Sequence, residues 1–481
     1  MSTENQNRES MAKTLKRGDI WAFAFGSIVG WGWVMLAGGW VASAGTVGAI
    51  IAMALGAIMC CLVGITYAEL TPALPIAGGS FVWSYRALGY KFAWFSGWAI
   101  AFAYVAVAAW EGPALATAVG YLIELPQKGF LWSIAGYDIY APWLAISTVG
   151  TLFTMFCHYR GLKFAAIFNT IAAILLVSGG VIFFLGGITL GDIANAAPAI
   201  KDGFNGITIV MLAAPAMFVG FDVIPQASEE MNYPIKQVGW LVIFAIMLGA
   251  LWYIMMIVGV AFAAPQSALE GATIPLADAA SYVYNNKLFG TFIIIAGIGG
   301  ILTSWNAMFV GATRILFSMA RAKMLPSVFA KLHPKYKSPT AAITLIGVIC
   351  LISPLLGSNA LGWFVDASSF GTVVAYLTVV ICFIVLRKKE PNLNRPWKSS
   401  KPRLVGVFAL IATIFFISLY LPFGSGSLGK FEWYMVALWV VIGIIMVIVN
   451  KVTLKNVTLH ERELLMFGQE YARKEYLERK D

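Results

Sequence analysis

Two acidic residues, Glu111 and Asp222, lie inside long apolar stretches of the sequence. An ionised carboxylate is costly in apolar surroundings, so one that is kept there is a candidate for work that needs charge, such as holding a cation or exchanging a proton. The alternative is structural, with the carboxyl group neutral or paired inside the protein. We expect Glu111 and Asp222 to take part in binding or coupling.

Helix-breaking residues interrupt two of the apolar stretches. The first reads G-S-I-V-G-W-G-W over residues 26–33, and a glycine in a helix interior costs about 1 kcal/mol against alanine. The second reads M-L-A-A-P-A-M-F-V-G-F-D-V-I-P-Q over residues 211–226, with Asp222 between Gly220 and Pro225. A broken helix frees backbone N–H groups, which favour a carboxylate, and C=O groups, which favour an ammonium. These segments are therefore predicted to bind a small charged molecule.

Gly26 and Gly30 alone also fit a different role. Their G-x-x-x-G spacing is typical of a face on which two membrane helices pack closely. The additional Gly32, and the second break five apolar stretches later, favour an unwound binding segment over a packing face.

The elements that position these residues are predicted to be membrane helices. The chain has 481 residues, of which 60% are hydrophobic and 12% are charged, against about 25% charged in soluble domains. Apolar segments of about 18 or more residues recur, which is the length that an α-helix needs to cross ~30 Å of hydrocarbon. The alternating segments of about ten residues that would indicate a β-barrel do not occur. The composition predicts an all-α integral membrane protein.

Twelve transmembrane helices are predicted. Their spans are 20–43, 49–70, 92–122, 143–158, 164–188, 207–228, 238–263, 290–319, 339–356, 364–386, 404–422 and 433–450. The first and the sixth contain the two interrupted stretches.

The basic residues predict the orientation of these helices. Of the 33 lysines and arginines, four fall in the loops on one side, and the remaining 29 fall on the side of the termini. Because Lys and Arg cluster on the cytoplasmic side of membranes, we expect both termini in the cytoplasm. We expect the protein itself to lie in the plasma membrane. The net charge of +10 is explained by this placement and does not indicate nucleic-acid binding. The four basic residues in the loops on the opposite side are Lys128, Lys201, Lys287 and Lys430.

Three acidic residues and the C-terminal tail are also predicted to lie on the cytoplasmic side. Glu69, Glu229 and Glu230 lie at predicted helix ends and are expected to pair with cations of the loops. The tail 451–481 is charged and helix-prone, and we expect a solvated helix. Contact with the membrane surface or with a neighbouring protein is the alternative.

The cysteines and histidines predict neither a metal centre nor catalysis. The five cysteines form no C-x-x-C pair, and the three histidines His158, His333 and His460 are far apart in the sequence. We expect no metal site, no cofactor beyond a coupling Na⁺ or H⁺, and no enzyme activity. A channel is disfavoured because no repeated polar residues would line a pore.

Five segments carry a family resemblance in the same order along the chain. They are Gly30-Trp31-Gly32, Y-A-E-L-T-P-A-L-P-I-A-G-G-S-F-V-W (67–83), G-F-D-V-I-P-Q-A-S-E-E-M-N-Y-P (220–234), T-R-I-L-F-S-M-A-R-A-K-M-L-P (313–326) and the run from L-R-K-K-E-P to R-P-W-K (386–398). Together they resemble the amino acid–polyamine–organocation superfamily of secondary transporters. The similarity extends over roughly residues 18–450.

The resemblance implies a fold and an arrangement of parts. It implies five plus five helices in an inverted repeat, as in leucine-transporter-like proteins, followed by two further helices. The predicted parts are a cytoplasmic tail 1–19, a first repeat 20–188, a second repeat 207–386, the last two helices 404–450 and a cytoplasmic tail 451–481.

The same resemblance implies which residues bind the substrate. In such proteins the charged ends of the substrate meet backbone groups at the two helix breaks. By motif these are the carbonyl of Ile28 and the amides of Gly30, Trp31 and Gly32 in the first break. In the sixth helix they are Ala216 and Val219, with Asp222 as the acidic coupling or gating residue.

The chain departs from the superfamily pattern at two positions. Relatives usually carry a small residue where this chain has Trp31, whose indole takes volume near the docking point of a carboxylate. Many relatives have a lysine in the fifth helix that replaces a sodium ion, whereas this chain has Leu176. Thr303 and Ser304 could instead ligate sodium together with carbonyls of the first helix. The alternative for these hydroxyls is bonding to their own helix backbone.

Three aromatic residues are further candidates for the site. Trp110 and Trp305 are predicted to form an aromatic wall, and Phe218 to act as a gate. For each tryptophan the alternative is packing or anchoring at the membrane interface.

The function predicted from the sequence is secondary transport of an amino acid or a small organic amine. Glu111, Asp222 and Trp31 favour a cationic amine, because two carboxylates and cation–π attraction would hold it, whereas a zwitterionic amino acid is the commoner superfamily substrate. We expect symport coupled to protons through Asp222, with sodium symport as an alternative. Exchange, and a nutrient sensor that does not transport, remain open, as does the oligomeric state.

Overall fold

A computed structural model describes residues 17–134, 136–232, 234–358 and 360–473 of the protein. Helices dominate it. Those of the first half are α1 (Arg17–Ile28), α2 (Gly32–Ala44), α3 (Thr46–Ala73), α4 (Gly79–Leu88), α5 (Tyr90–Leu122), α6 (Ala141–Tyr159), α7 (Leu162–Leu190), α8 (Gly203–Phe218) and α9 (Val223–Gln226). Those of the second half are α10 (Ile235–Ala263), α11 (Gln266–Leu269), α12 (Pro275–Val283), α13 (Lys287–Arg321), α14 (Thr340–Ile352), α15 (Ala360–Lys389), α16 (Pro402–Tyr420), α17 (Lys430–Val449), α18 (Lys451–Asn456) and α19 (Leu459–Tyr471).

Length and composition make this a multi-pass membrane protein. Nine helices in the described part of the chain are long and apolar enough to cross a membrane, with Gly32–Ala44 and Thr340–Leu356 as shorter apolar segments. A helix or an interrupted helix covers each of the twelve predicted spans. The number of crossings and the inverted repeat stay predictions.

Both predicted helix breaks are present. The first predicted span consists of α1 and α2, with residues 29–31 between them. The sixth consists of α8 and α9, separated by residues 219–222. The glycines and prolines of the two segments therefore interrupt their helices as expected.

Contacts between helix ends lie at two faces of the bundle. At one face, Arg86 of α4 meets Glu390, which follows α15. At the opposite face, the indole of Trp132 donates to the carbonyl of Leu355 at 3.0 Å. Trp132 belongs to a two-stranded antiparallel hairpin, β1 (Phe130–Ile134) and β2 (Tyr137–Tyr140). We name the face that carries this hairpin the hairpin face.

The hairpin is an element that the sequence analysis did not predict. Its strands are rich in aromatic residues and isoleucine, and Gly136 lies between them with a φ of 76°. This is the usual signature of two strands joined by a tight turn. The hydropathy pattern does not reveal these short strands, because they lie in the loop that it predicts between two membrane helices.

Close helix packing forms the core of the bundle. Helix α13 packs on α5 and α7, α15 packs on α5, and α10 packs on α3. Small residues permit this: a Cβ added to Gly56 of α3 would lie 2.3 Å from the Cβ of Ala214 in α8. Packing through small residues is how membrane helices associate.

Acidic residues at the helix ends pair as predicted. Glu230 and Arg314 form a buried bidentate pair at 2.8 and 3.0 Å, and Glu229 pairs with Arg321 at 2.9 Å. Glu69 pairs with Arg387 and Arg395. The expected partners were cations of the loops, but three of these four arginines lie in helices. The pairs with Arg314 and Arg321 attach the segment that follows the second break to α13.

The C-terminal helix α19 packs against the protein, so the expectation of a solvated helix is wrong. Its Glu463 is fully buried and accepts a hydrogen bond from Arg86 at 3.1 Å. The ring of Phe467, also buried, lies 5.1 Å from the guanidinium of Arg86. Glu463 also pairs with Arg473 at 2.9 Å. The sequence could not predict the contact with Arg86 because that arginine lies 377 residues away from Glu463.

The pair of Glu230 and Arg314 leads to a stability prediction. The substitution Glu230→Gln leaves a buried guanidinium without its counter-charge, which costs about 3–5 kcal/mol. The fraction of purified protein that stays monodisperse in detergent after heating should therefore fall at a lower temperature. Glu270→Gln, at an exposed acid, is the control and should leave this temperature unchanged. Equal midpoints for both variants would contradict the assigned role of the pair.

Candidate functional site

The backbones of the two helix interruptions touch each other. Gly220, in the second interruption, has a φ of 133°. A Cβ added there would lie 2.6 Å from the carbonyl carbon of Ser27, near the end of α1. Only glycine permits both this conformation and this approach. The bundle therefore brings the two interrupted helices into one place.

The hydroxyl of Tyr253, on α10, joins the two interruptions. It donates to the carbonyl of Ile28, the last residue of α1, at 2.8 Å, and lies 3.1 Å from the carbonyl of Met217 in α8. A helix end leaves such carbonyls without intrahelical partners. One buried side chain thus serves the C-terminal ends of both α1 and α8.

Backbone donors remain free at the start of α2. Among the described residues, none accepts a hydrogen bond from the amides of Gly30, Trp31 and Gly32. A helix N-terminus with free N–H groups favours a negatively charged ligand. These are the amides that the superfamily resemblance implied.

Backbone acceptors remain free at the ends of α1 and α8. The carbonyl oxygens of Ser27, Ala216 and Phe218 receive no hydrogen bond within the part of the chain that the structure describes. Carbonyls at a helix C-terminus favour a positive charge. Donors and acceptors that lie this close together are suited to a molecule that carries a carboxylate and an ammonium.

Asp222 holds the second interruption in shape. One of its carboxylate oxygens accepts from the amide of Gly220 at 2.8 Å, and the other accepts from the hydroxyl of Tyr104 at 2.7 Å. The side chain of Gln226 donates to the Asp222 carbonyl at 3.1 Å. The carboxylate is buried and replaces the helical partner that the Gly220 amide has lost.

Glu111 lies next to the first interruption. One of its oxygens accepts a hydrogen bond from Ser304 and lies 3.9 Å from the position of a Cβ on Gly30. The other oxygen has no partner in hydrogen-bonding geometry within the described ranges, although the side chain is fully buried. This free oxygen is available to a ligand bound at the first interruption.

Thr303 and Ser304 also lie at the first interruption. Added Cβ atoms at Gly26 and Gly30 would lie 3.0 Å from Thr303 and 2.9 Å from Ser304, respectively. The hydroxyl of Thr303 donates to the carbonyl of Gly300 at 2.9 Å, as threonines in membrane helices commonly do, and the hydroxyl of Ser304, which donates to Glu111, lies 3.0 Å from the same carbonyl. The placement suits the predicted sodium role, which stays a prediction.

The indole of Trp31 is accommodated by α13. A Cβ on Gly297 would lie 2.4 Å from its six-membered ring, so only a glycine leaves room for it there. Leu176 of α7 lies near the first interruption. A Cβ added to Gly300 would lie 3.2 Å from the Cδ1 of Leu176 and would also meet the carbonyl of Gly30. The position at which many relatives carry a lysine is therefore apolar and beside the first interruption.

The other predicted site residues are placed at different distances from the interruptions. Ala216 and Val219 lie buried at the end of α8, within the second interruption or next to it. The ring of Phe218 packs edge-on against Tyr253, with 5.7 Å between ring centroids. Trp305 packs against Gly112 and Gly150, on the side of α13 that faces α5 and α6. Trp110 is buried on α5, and its place in the site stays a prediction.

Two tyrosines of the site were not recognised from the sequence. Tyr253 and Tyr104 each place a phenolic hydroxyl inside an apolar span, and such a group needs a partner there. That requirement was the available signal. It did not identify the partners, which lie 225 and 118 residues away in the chain.

Comparison with known proteins gives a consistent result. A family model for amino acid permeases matches residues 19–446. The chain is 26% identical to the methylthioribose transporter of Bacillus subtilis over 450 residues, which cover 92% of this chain and 94% of the relative. It is 27% identical to the branched-chain amino acid permease BcaP of the same organism over 453 residues, covering 91% and 92%. It is 28% identical to cationic amino acid transporter 4 of Mus musculus over 407 residues, covering 81% and 62%.

These relatives are named as transporters and permeases and not as enzymes. The matched region contains both helix interruptions and every residue of the site described above. The chain belongs to the amino acid permease family, within the superfamily that its motifs resemble.

Proposed function

We propose that this protein is a secondary transporter that carries an amino acid across the plasma membrane by alternating access. The observation that supports this most directly is the opposition of free backbone groups at the two interruptions. The amides of residues 30–32 suit a carboxylate, and the carbonyls of Ser27, Ala216 and Phe218 suit an ammonium. An amino acid carries both of these charges.

The same geometry ranks the substrate classes. An amine without a carboxylate would leave the amides of α2 buried and without acceptors, which is unfavourable. The relatives are named for methylthioribose, branched-chain amino acids and cationic amino acids, so the family name alone does not decide the class. We place amino acids first and amines second because of the free amides.

The proposed transporter has twelve transmembrane helices, ten of them in two inverted repeats, with both termini in the cytoplasm. The excess of lysine and arginine at the face that carries the termini supports this orientation. The interruptions in the first and sixth helices support the repeat, since each would begin one half.

We assign proton coupling to Asp222. Its two oxygens already accept hydrogen bonds from the Gly220 amide and the Tyr104 hydroxyl. A proton added to either oxygen competes with one of these donors, so protonation and the shape of the second interruption depend on each other. Glu111 can take a proton on its free oxygen without losing a hydrogen bond, and we assign it to the substrate ammonium.

The first prediction concerns the substrate. In proteoliposomes, uptake of labelled leucine or lysine should be saturable and should be inhibited by other amino acids of the same class. Putrescine and the alcohol that corresponds to each amino acid, which lack the carboxylate, should inhibit at least about tenfold more weakly. Equal inhibition by compounds without a carboxylate would reject the role of the α2 amides. Absence of uptake for every amino acid and for methylthioribose, with binding retained, would indicate a sensor and not a transporter.

The second prediction concerns Tyr253. Tyr253→Phe removes the hydroxyl that serves Ile28 and Met217, a loss of about 0.5–1.5 kcal/mol, which corresponds to a two- to tenfold change in an equilibrium. Initial uptake rates should show a higher KM by about that factor. The control is Tyr67→Phe, since the Tyr67 hydroxyl has no hydrogen-bond partner in the described structure. Equal KM values for both variants would contradict a role for Tyr253 in the site.

The third prediction separates the two carboxylates. Asp222→Asn keeps an acceptor for the Gly220 amide but cannot bind a proton, so its uptake should no longer rise with an inward proton gradient. Glu111→Gln should retain that response and raise the KM for an amino acid. Uptake by Asp222→Asn that still follows the gradient would reject the assignment. A gradient response lost only in Glu111→Gln would move coupling to that residue, and a strict need for sodium would favour Thr303 and Ser304.

A further inference from the structure

A cavity of about 670 Å³ lies at the hairpin face, apart from the two interruptions. It is formed by the end of α5, the strand β2, the start of α6 and the loops before α12 and α15. None of its lining residues belongs to segments 26–33 or 211–226. Small-molecule sites commonly have volumes of about 300–1,000 Å³, so the cavity is large enough for a small organic molecule.

Aromatic rings form much of the wall of this cavity. Tyr121, Tyr137, Tyr140 and Trp143 line it, and the rings of Tyr137 and Trp143 are 5.5 Å apart between centroids. Burial raises the pKa of the Tyr137 hydroxyl, so this group keeps its proton near neutral pH. Aromatic faces attract organic cations.

The charges at the cavity are negative. Asp138 lines it and accepts a hydrogen bond from Ser133 through one oxygen. Asp278 lies behind Tyr121, whose hydroxyl donates to it at 2.5 Å. The residues that line the cavity include no lysine or arginine. A cation is therefore favoured over an anion.

One buried donor in the wall has no partner. Trp143 is 6% exposed, and its indole nitrogen makes no hydrogen bond to any residue that the structure describes. A buried N–H group without an acceptor is energetically unfavourable. A bound molecule with a hydroxyl or carboxylate oxygen would remove this cost.

We propose that this cavity is a second binding site, which takes an organic ammonium ion that also carries a hydrogen-bond acceptor. The aromatic rings and Asp138 hold the ammonium group, and the indole N–H of Trp143 binds the acceptor. The site is separate from the transport site, and its occupancy does not depend on the proposed transport function. Amines and amino acids fall in this ligand class, so the cavity can hold a substrate at the protein surface.

Choline is a suitable probe, because it combines an ammonium group with a hydroxyl. We expect saturable binding of choline to the purified full-length protein, measured by saturation-transfer difference NMR. Its uncharged isostere, 3,3-dimethyl-1-butanol, should show no saturable signal at the same concentrations. Equal binding of both compounds would overturn the proposal.

Two variants of the cavity and one control test whether choline binds in the cavity. Asp138→Asn, at an exposed residue, should weaken choline binding at least about fivefold, and Trp143→Phe, which keeps the ring but removes the N–H, should weaken it about threefold. Asp192→Asn, another exposed aspartate of the hairpin face, is the matched control and should bind choline as the unmodified protein does. Unchanged affinity in both cavity variants would overturn the proposal.

A final comparison separates the cavity from the transport site. Glu111→Gln and Tyr253→Phe should bind choline normally, whatever their uptake activity. Loss of choline binding in these two variants, with binding retained in Asp138→Asn, would place the probe at the helix interruptions and reject the second site. Failure of amino acid uptake in proteoliposomes would count against the proposed transport function alone, because choline binding is measured without transport.

Discussion

The structure depends on one constraint, which is that a polar backbone group inside an apolar bundle must find a partner. An unbroken helix meets this constraint by itself, and α1 and α8 do not, because each ends in the interior. The hydroxyl of Tyr253 serves the carbonyl of Ile28 and lies close to that of Met217, while the carboxylate of Asp222 serves the amide of Gly220. Two side chains thus stabilise an arrangement that would otherwise expose several polar groups to an apolar interior.

We assign the specificity of the proposed site to the backbone groups that these side chains do not serve. The amides of residues 30–32 and the carbonyls near the ends of α1 and α8 keep their capacity for hydrogen bonds in the described structure. Their preference for a carboxylate and an ammonium follows from helix geometry and not from the identity of side chains. Such a pair of interruptions is therefore compatible with more than one substrate class, and the surrounding side chains would set the size and shape of the substrate.

Glycine and proline patterns revealed the places where the helices break, because those residue types disfavour a helix for local reasons. Pairing across the bundle could not be predicted in the same way. Tyr104 reaches Asp222 and Trp31 fits against Gly297 only after α5, α8 and α13 have packed together. The hairpin and the docked α19 escaped prediction because aromatic strands and a charged helix resemble ordinary loop and tail sequence. Hydropathy thus identifies membrane helices well, and it carries little information about what lies outside them.

The contact of α19 with Arg86 has a consequence for the order of synthesis. Arg86 is translated 377 residues before Glu463, and Glu390 lies between them in the chain. During translation the guanidinium of Arg86 is first without either acid, then gains Glu390, and gains Glu463 only once α19 has been synthesised. Its last acidic partner therefore becomes available only after α19 has been made. A protein cut short before α19 would keep the pair of Arg86 with Glu390 but would lose the contacts of Arg86 with Glu463 and Phe467, so truncation would change the packing around α4 and not the charge balance of Arg86.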